Sequence, residues 1–150
     1  MVSHMEKLET ALIHGAIREG YEDKKGAVNV PIYMTSTFHQ EQIDAFGEYD
    51  YTRSGNPTRA ALEKLIAELE GGHRGFAFST GMAAISAALM LLKSGDHIVI
   101  SEDVYGGTYR FITKILPKLG ITHTFVDFTN THQIEIAIQS NTALIYMETP

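Results

Sequence analysis

Three short segments of this 150-residue chain combine residue types that bind anions or flat rings. The first, residues 79–82, has the sequence Ser-Thr-Gly-Met and joins a short apolar run to a helix-like one. A glycine there lets the backbone approach a ligand, and a helix N-terminus offers unpaired N–H groups with partial positive charge, which suits a phosphate. On the residues alone, the alternative is that Ser79 or Thr80 merely caps the helix.

The second segment, residues 51–58, places a phenol and a guanidinium two positions apart just before a helix start. In an extended chain, side chains two positions apart point to the same side, so Tyr51 and Arg53 would bind one anion together. The alternative is a loop in which Asn56 or Ser54 caps the following helix.

The third segment, residues 105–108, has the sequence Tyr-Gly-Gly-Thr and follows a predicted strand that ends at Ile100. An aromatic ring at the carboxyl end of a strand can stack on a planar ligand, although burial in the core is the alternative for Tyr105. Two carboxylates also stand out, because Asp50 precedes Tyr51 and Glu148 ends an apolar strand.

The elements that must position these residues alternate between helix and strand patterns from about residue 57 onward. The predicted elements are a helix from Pro57 that Gly71 ends, a strand 76–78, a helix 82–92, a strand 97–100, a helix 109–119 ended or bent by Pro117, a strand 122–128, a helix 132–139 and a strand 143–148. This order predicts an α/β fold with a largely parallel sheet and helices on both faces. On the first helix, Arg59 and Glu63 are spaced as a solvated surface pair.

The first third of the chain differs from the rest. Residues 1–5 resemble a cloning scar, and residues 6–56 are polar, interrupted by glycine and proline, and without a sustained helical or strand period. Such a long structureless stretch is usually functional, mobile or packed against another chain. We therefore predict an N-terminal arm over residues 6–56, followed by the α/β domain over residues 57–150.

Composition excludes several classes of function. The net charge of -6 gives no support for nucleic-acid binding, and the absence of cysteine excludes disulfides and Cys-ligated metals. The seven histidines show no metal-ligand spacing, so no metal site is predicted. No apolar run approaches the roughly 20 residues that span a bilayer, and no secretory signal is visible, so we predict a cytoplasmic protein without membrane partners.

Taken in order, four motifs give the chain a family resemblance. Residues 51–58, 78–83 and 103–108, followed by Glu-Thr-Pro at 148–150, resemble the Cys/Met-metabolism family of pyridoxal-phosphate enzymes, which includes cystathionine γ-lyases and γ-synthases. The resemblance implies pyridoxal 5'-phosphate as cofactor and the fold type I of such enzymes, here incomplete. It also implies a small sulfur amino acid as substrate and a homo-oligomer: a dimer with shared active sites, usually paired into a tetramer. In such a dimer the N-terminal arm over residues 6–56 would contact the partner subunit.

The resemblance assigns roles to individual residues. Gly81 and Met82 would donate backbone N–H groups to the cofactor phosphate with Thr80 beside them, and Tyr105 would stack on the pyridine ring as a catalytic residue. Tyr51 and Arg53 resemble the pair that reaches the phosphate of the neighbouring subunit, and Tyr51 would assist proton transfer. Glu148 would sit near the ring. Asp50 would meet the distal ammonium of the substrate.

The same resemblance implies that this chain is only part of the enzyme. The Schiff-base lysine and the aspartate on the ring nitrogen lie beyond the Glu-Thr-Pro motif in this family, and no lysine of this chain stands in the expected context. The 150 residues alone are therefore expected to be inactive, as the N-terminal portion of the enzyme.

For the full-length protein, the resemblance implies a carbon–sulfur lyase of transsulfuration, preferentially a cystathionine or homocysteine γ-lyase. That reaction releases cysteine or another thiol, a 2-oxo acid and ammonia. Gly107 supports this choice over methionine γ-lyases, which place a cysteine there. The alternatives are a γ-synthase or homoserine-ester sulfhydrylase, a non-catalytic dimerisation fragment and, more distantly, a nucleotide-binding domain without its glycine fingerprint.

Overall fold

The computed structural model describes residues 8–18 and 26–149, so residues 1–5, interpreted above as a cloning scar, and Pro150 lie outside the described residues. The chain divides into two compact units, Met1–Ala77 and Phe78–Pro150. The arm boundary at residue 56 concerns the assembled protein and stays a prediction. In the described part of the chain, no helix has the length and apolar character needed to cross a membrane.

The first unit contains α1, Leu8–Arg18, and α2, Pro57–Leu69. Helix α2 confirms the prediction of a helix that begins at Pro57. Asn56 caps it by accepting a hydrogen bond from the Thr58 N–H, and Pro57 occupies the first turn, where a missing N–H costs nothing. Gly71 follows the helix at φ 61°, a left-handed conformation that glycine adopts without a Cβ clash.

Two predictions in this region are wrong. Residues 8–18 of the predicted arm form helix α1. This helix was not predicted because Gly15 interrupts the apolar period and because a glycine in a helix interior is unfavourable by about 1 kcal/mol. Contact with α2 stabilises α1 despite its low intrinsic helix propensity. Residues 76–78 form no strand, because the Ala77 N–H donates to the Glu63 carboxylate at 2.9 Å instead of to a ladder.

The second unit contains a three-stranded parallel sheet and its helices. In chain order the elements are α3 Gly81–Leu89, β1 His97–Ser101, α4 Gly106–Lys114, a 3₁₀-helix Leu116–Leu119, β2 Thr122–Val126, α5 Thr131–Ala137 and β3 Thr142–Tyr146. The strand order is β2-β1-β3, all parallel. If both crossovers follow the right-handed rule, α4 and α5 lie on opposite faces of the sheet. The parallel sheet with its helices confirms the predicted α/β fold class.

The core of this unit forms around β1, which is buried along its whole length as expected for a central parallel strand. Ile98 and Ile100 point to one face and pack with apolar residues of α3, α4 and the 3₁₀-helix, namely Leu89, Ile112 and Leu116. Each such side chain contributes roughly 1.5–3 kcal/mol on burial. Pro117 lies in the 3₁₀-helix, which confirms that it ends α4.

One polar side chain is buried at the amino end of this sheet. His97 is 1% exposed, and its ring spans the sheet: Nδ1 lies 2.8 Å from Thr142 Oγ1 on β3, and Nε2 lies 2.9 Å from Thr124 Oγ1 on β2. Burial lowers the pKa of His97. The pKa of nearby His123 is lowered as well, by burial first and by the charge of His97 second.

We predict that acid weakens this unit through His97. Below the unfolded-state pKa of about 6.5, the unfolded chain binds a proton that the folded ring does not. The free energy of unfolding is therefore undiminished above that pH and falls as the pH drops toward the folded-state pKa. In urea titrations of the full-length protein between about pH 7.5 and 5.5, His97→Gln should make this fall shallower.

The exposed His73 provides a matched control for the loss of an imidazole, and the free energy of unfolding of His73→Gln at neutral pH should stay close to that of wild type. The residual slope in His97→Gln would come from His123. If His97→Gln and wild type lost stability equally with acid, the buried ring would not be the titrating group.

Candidate functional site

The amino end of α3 leaves two backbone donors free. Thr80 is the N-cap, and its Oγ1 accepts a hydrogen bond from the Ala83 N–H at 3.0 Å, so the capping role foreseen as the alternative is confirmed. Capping does not use the N–H groups of Gly81 and Met82, for which no acceptor is found within the described residues. Gly81 is exposed, and a Cβ there would meet open space. An anion can therefore approach both N–H groups.

Tyr105 lies next to this helix start. Its side chain is 62% exposed, so burial in the core, the alternative interpretation, is wrong. A Cβ built on Gly107 would come within 2.5 Å of Tyr105 Cε1 and 2.8 Å of Met82 Sδ. Both side chains thus crowd the same glycine, and the structure brings the aromatic ring to the residue whose N–H is free. Such a placement suits a planar ligand with an anionic group.

Glu148 connects the end of β3 to the start of α4. Its Oε2 accepts a hydrogen bond from the Tyr105 N–H at 2.6 Å, and its Oε1 accepts from the hydroxyls of Thr108 and Tyr146, each at 2.7 Å. Burial alone would raise the pKa of Glu148, but the three hydrogen bonds outweigh it and the pKa is lowered. Burial, the hydrogen bond to Glu148 and its negative charge raise the pKa of Tyr146 to about 12. At neutral pH an ionised carboxylate therefore faces a protonated phenol.

The first unit carries the Tyr51–Arg53 segment. The extended conformation predicted for it is wrong, because the chain turns at residues 52–54, and Ser54 and Gly55 both donate N–H groups to the Tyr51 carbonyl at 3.0 Å. The turn nevertheless brings the two side chains together: Arg53 Cζ lies 5.1 Å from the centroid of the Tyr51 ring, within cation–π range. Asp50 is exposed, and its carboxylate accepts the Tyr51 N–H at 2.7 Å.

Sequence reasoning missed how this turn is held. The Arg59 guanidinium donates to the carbonyl of Ser54 at 2.9 Å and, at 3.4 and 3.5 Å, to those of Arg53 and Thr52, while its Nε pairs with Glu63 at 3.5 Å. The Arg59–Glu63 pair is thus part of the turn rather than a solvated surface pair. The signal was the position of this arginine in the first turn of α2, from which a long side chain can reach back to carbonyls of the preceding turn.

The site residues therefore fall into two local groups. Met82, Tyr105 and Glu148 are brought together in the second unit with Thr80 and Gly81, and Asp50, Tyr51 and Arg53 are neighbours in the first. No group of His, Cys, Asp or Glu side chains in the described ranges could hold a metal ion.

Comparison with known proteins decides the family. The family model for "Cys/Met metabolism PLP-dependent enzyme" matches residues 9–150. The chain belongs to this family. Cystathionine β-lyase MetC of Bacillus subtilis (strain 168) is 55% identical over 150 residues, all of this chain and 38% of the relative. Cystathionine γ-lyase of the same strain is 54% identical over 144 residues, 96% of this chain and 38% of the relative.

A solved structure agrees with the fold. Cystathionine γ-lyase from Lactobacillus plantarum complexed with L-serine superposes with a TM-score of 0.88 at 51% identity, covering 97% of this chain and 37% of that one. The chain thus spans well under half the length of the relatives it matches. Pyridoxal phosphate is the cofactor of this family, and the residues of the second unit fit it: two free N–H groups at a helix start for the phosphate, and an exposed ring beside them for the pyridine.

Gly107 offers a test of that arrangement. Because a Cβ at position 107 would displace the Tyr105 ring or the Met82 thioether, Gly107→Ala in the full-length protein is expected to weaken pyridoxal-phosphate binding to the apoprotein about tenfold. Gly106→Ala is the matched control, since a Cβ there meets only the flexible end of Arg110 at 3.5 Å. Equal dissociation constants for the two variants, measured by titrating the apoprotein, would contradict the placement of Tyr105.

Proposed function

We propose that the full-length protein is a pyridoxal-phosphate-dependent carbon–sulfur lyase that acts on cystathionine or a closely similar sulfur amino acid. The observation that carries the proposal is the exposed Tyr105 ring against Met82, at a helix start with two free N–H groups, in a chain that belongs to this family. The names of the two Bacillus subtilis relatives support cystathionine as substrate. The family context supports a cytoplasmic enzyme.

In this proposal the second unit binds the cofactor. The N–H groups of Gly81 and Met82, with the positive end of α3 behind them, hold the phosphate, and Thr80 fixes the helix start. The exposed Tyr105 ring would stack on the pyridine ring and so hold it beside the helix start. The bound cofactor supplies an electron sink for the substrate Cα, and the protein supplies position, charge and proton transfer.

The first unit supplies the second set of groups. Arg53 offers a guanidinium, already packed on Tyr51, to the phosphate of the neighbouring subunit, and Tyr51 assists proton transfer there. The proposed assembly is a catalytic dimer, paired into a tetramer. Asp50, which is exposed, is proposed to meet the distal ammonium of cystathionine, because a carboxylate complements that cation.

The bond that breaks distinguishes two candidate activities. Cleavage of the Cγ–S bond of cystathionine gives cysteine, 2-oxobutanoate and ammonia, and this is the γ-lyase reaction that the family resemblance favours. Asp50 supports cystathionine as the substrate whichever of its carbon–sulfur bonds breaks. Cleavage of the Cβ–S bond gives homocysteine, pyruvate and ammonia, and the 55% identical β-lyase favours that second candidate. Mass spectrometry of the 2-oxo acid released by the full-length protein separates them: 2-oxobutanoate supports the γ-lyase, and pyruvate overturns it in favour of the β-lyase.

Two further alternatives for the function predict different experimental results. A γ-synthase or homoserine-ester sulfhydrylase would form a new carbon–sulfur bond faster than it releases a 2-oxo acid when a homoserine ester and a thiol are supplied together. A non-catalytic dimerisation fragment would be a product in its own right, and intact mass analysis of the natural protein would return the mass of the 150-residue chain.

A further inference from the structure

Helix α4 starts without a cap of its own. Tyr105 occupies the N-cap position, its side chain makes no capping hydrogen bond, and the first turn contains no acidic residue. Without such a cap, the backbone N–H groups of the first turn lack an acceptor, and the partial positive charge at the helix start lacks a negative group beside it. The start of α4 therefore needs an acceptor from elsewhere in the chain.

Glu148 supplies that acceptor from 43 residues away. Its Oε2 accepts a hydrogen bond from the backbone N–H of Tyr105 at 2.6 Å, and its Oε1 accepts one from the hydroxyl of Thr108. Thr108 lies in the first turn of α4 and is fully buried. The carboxylate is itself fixed by the hydroxyl of Tyr146 on β3 at 2.7 Å. The backbone of Tyr105 is thus tied to a strand of the sheet through one charged group.

We infer that Glu148 is a positioning residue, which holds the Tyr105 ring in place by capping α4 from the segment just after β3 and does not itself bind the cofactor. Three donors already occupy the carboxylate, out of about four acceptor positions on its two oxygens. This inference rests on the proposed function, because it takes Tyr105 as the residue that stacks on pyridoxal phosphate.

A double-mutant cycle in the full-length protein tests it. Glu148→Gln keeps the shape of the side chain but removes its negative charge and leaves one acceptor oxygen instead of two, so it should weaken pyridoxal-phosphate binding to the apoprotein about fivefold, the loss typical of a helix cap. If Glu148 acts only through the Tyr105 ring, Glu148→Gln should cause no further loss when Tyr105 is already alanine. The visible circular dichroism of the bound cofactor should change in Glu148→Gln, since it reports the tilt of the ring.

The outcomes separate the inference from the proposed function. A full fivefold loss from Glu148→Gln in both backgrounds would mean direct contact with the cofactor and would overturn the inference alone. Wild-type protein that binds no pyridoxal phosphate would overturn the proposed function itself. The exposed Glu102→Gln is the matched charge control, and its dissociation constant should equal that of wild type.

A second variant keeps the test valid if Glu148→Gln does not fold. Tyr146→Phe removes one donor to the carboxylate and leaves the Tyr105 contact in place. It should weaken binding by a smaller factor, about twofold, and again only when Tyr105 is present. An equal loss from Tyr146→Phe with and without Tyr105 would contradict the positioning role.

Discussion

Replacing Tyr105 by alanine in the full-length protein is expected to weaken pyridoxal-phosphate binding by about tenfold to a hundredfold, because stacking of a ring on an aromatic side chain contributes about 1–3 kcal/mol. Tyr105 is 62% exposed and is not among the described residues packed on the apolar core, so the loss should appear in cofactor binding and turnover rather than in folding. Titration of the apoprotein, followed by visible absorbance, gives the dissociation constant directly.

Tyr105→Phe is the matched control for the stacking ring. It keeps the aromatic face and removes only the hydroxyl, so its dissociation constant should stay within about twofold of wild type. Equal losses in Tyr105→Ala and Tyr105→Phe would show that the hydroxyl matters instead of the face. Unchanged binding in both variants would remove Tyr105 from the site.

The second large effect concerns Arg53. Its guanidinium is free to form charge-assisted hydrogen bonds to a phosphate, each worth about 1.5–3 kcal/mol, so Arg53→Ala should weaken cofactor binding by about tenfold or more. Arg53→Lys keeps the charge and loses the two-pronged geometry, and an intermediate loss is expected. The same titration measures both variants.

Mixing subunits tests whether Arg53 acts across a dimer. A hybrid of one Arg53→Ala subunit and one Tyr105→Ala subunit would contain one intact site and one doubly defective site if Arg53 serves its neighbour. After random reassortment, about half of the dimers are hybrids, so activity should recover to about a quarter of wild type at limiting cofactor. No recovery above the two parent variants would place Arg53 in its own subunit's site.

The sequence predicted the order of elements from residue 57 well, because each helix or strand there has a clear apolar period and turn residues between. Helix α1 was missed since Gly15 breaks the period and contact with α2 makes up for it. The strand at 76–78 was predicted from apolar residues alone, whereas a side chain 14 residues earlier, Glu63, takes the Ala77 N–H. Both errors came from contacts distant in sequence.

In the candidate site, too, features set by neighbouring residues were predicted, and features set by more distant residues were not. Local sequence was enough to identify the start of α3 as a cap with free N–H groups, because capping involves only residues 80–83. The link from Glu148 to Tyr105 spans 43 residues, and the three carbonyl contacts of Arg59 depend on a turn that the sequence suggested was extended. The contacts of Glu148 cross from one element to another 43 residues away, so no local periodicity could indicate them.

The most direct test of the central claim is to incubate the purified full-length protein with cystathionine and measure the released 2-oxo acid and the visible absorbance of bound cofactor together. We expect absorbance from bound pyridoxal phosphate, and 2-oxo acid in amounts equal to the thiol and ammonia formed, both abolished when the cofactor is removed and restored when it is returned. Protein that shows no cofactor absorbance and releases no 2-oxo acid from cystathionine would contradict the assignment of a carbon–sulfur lyase.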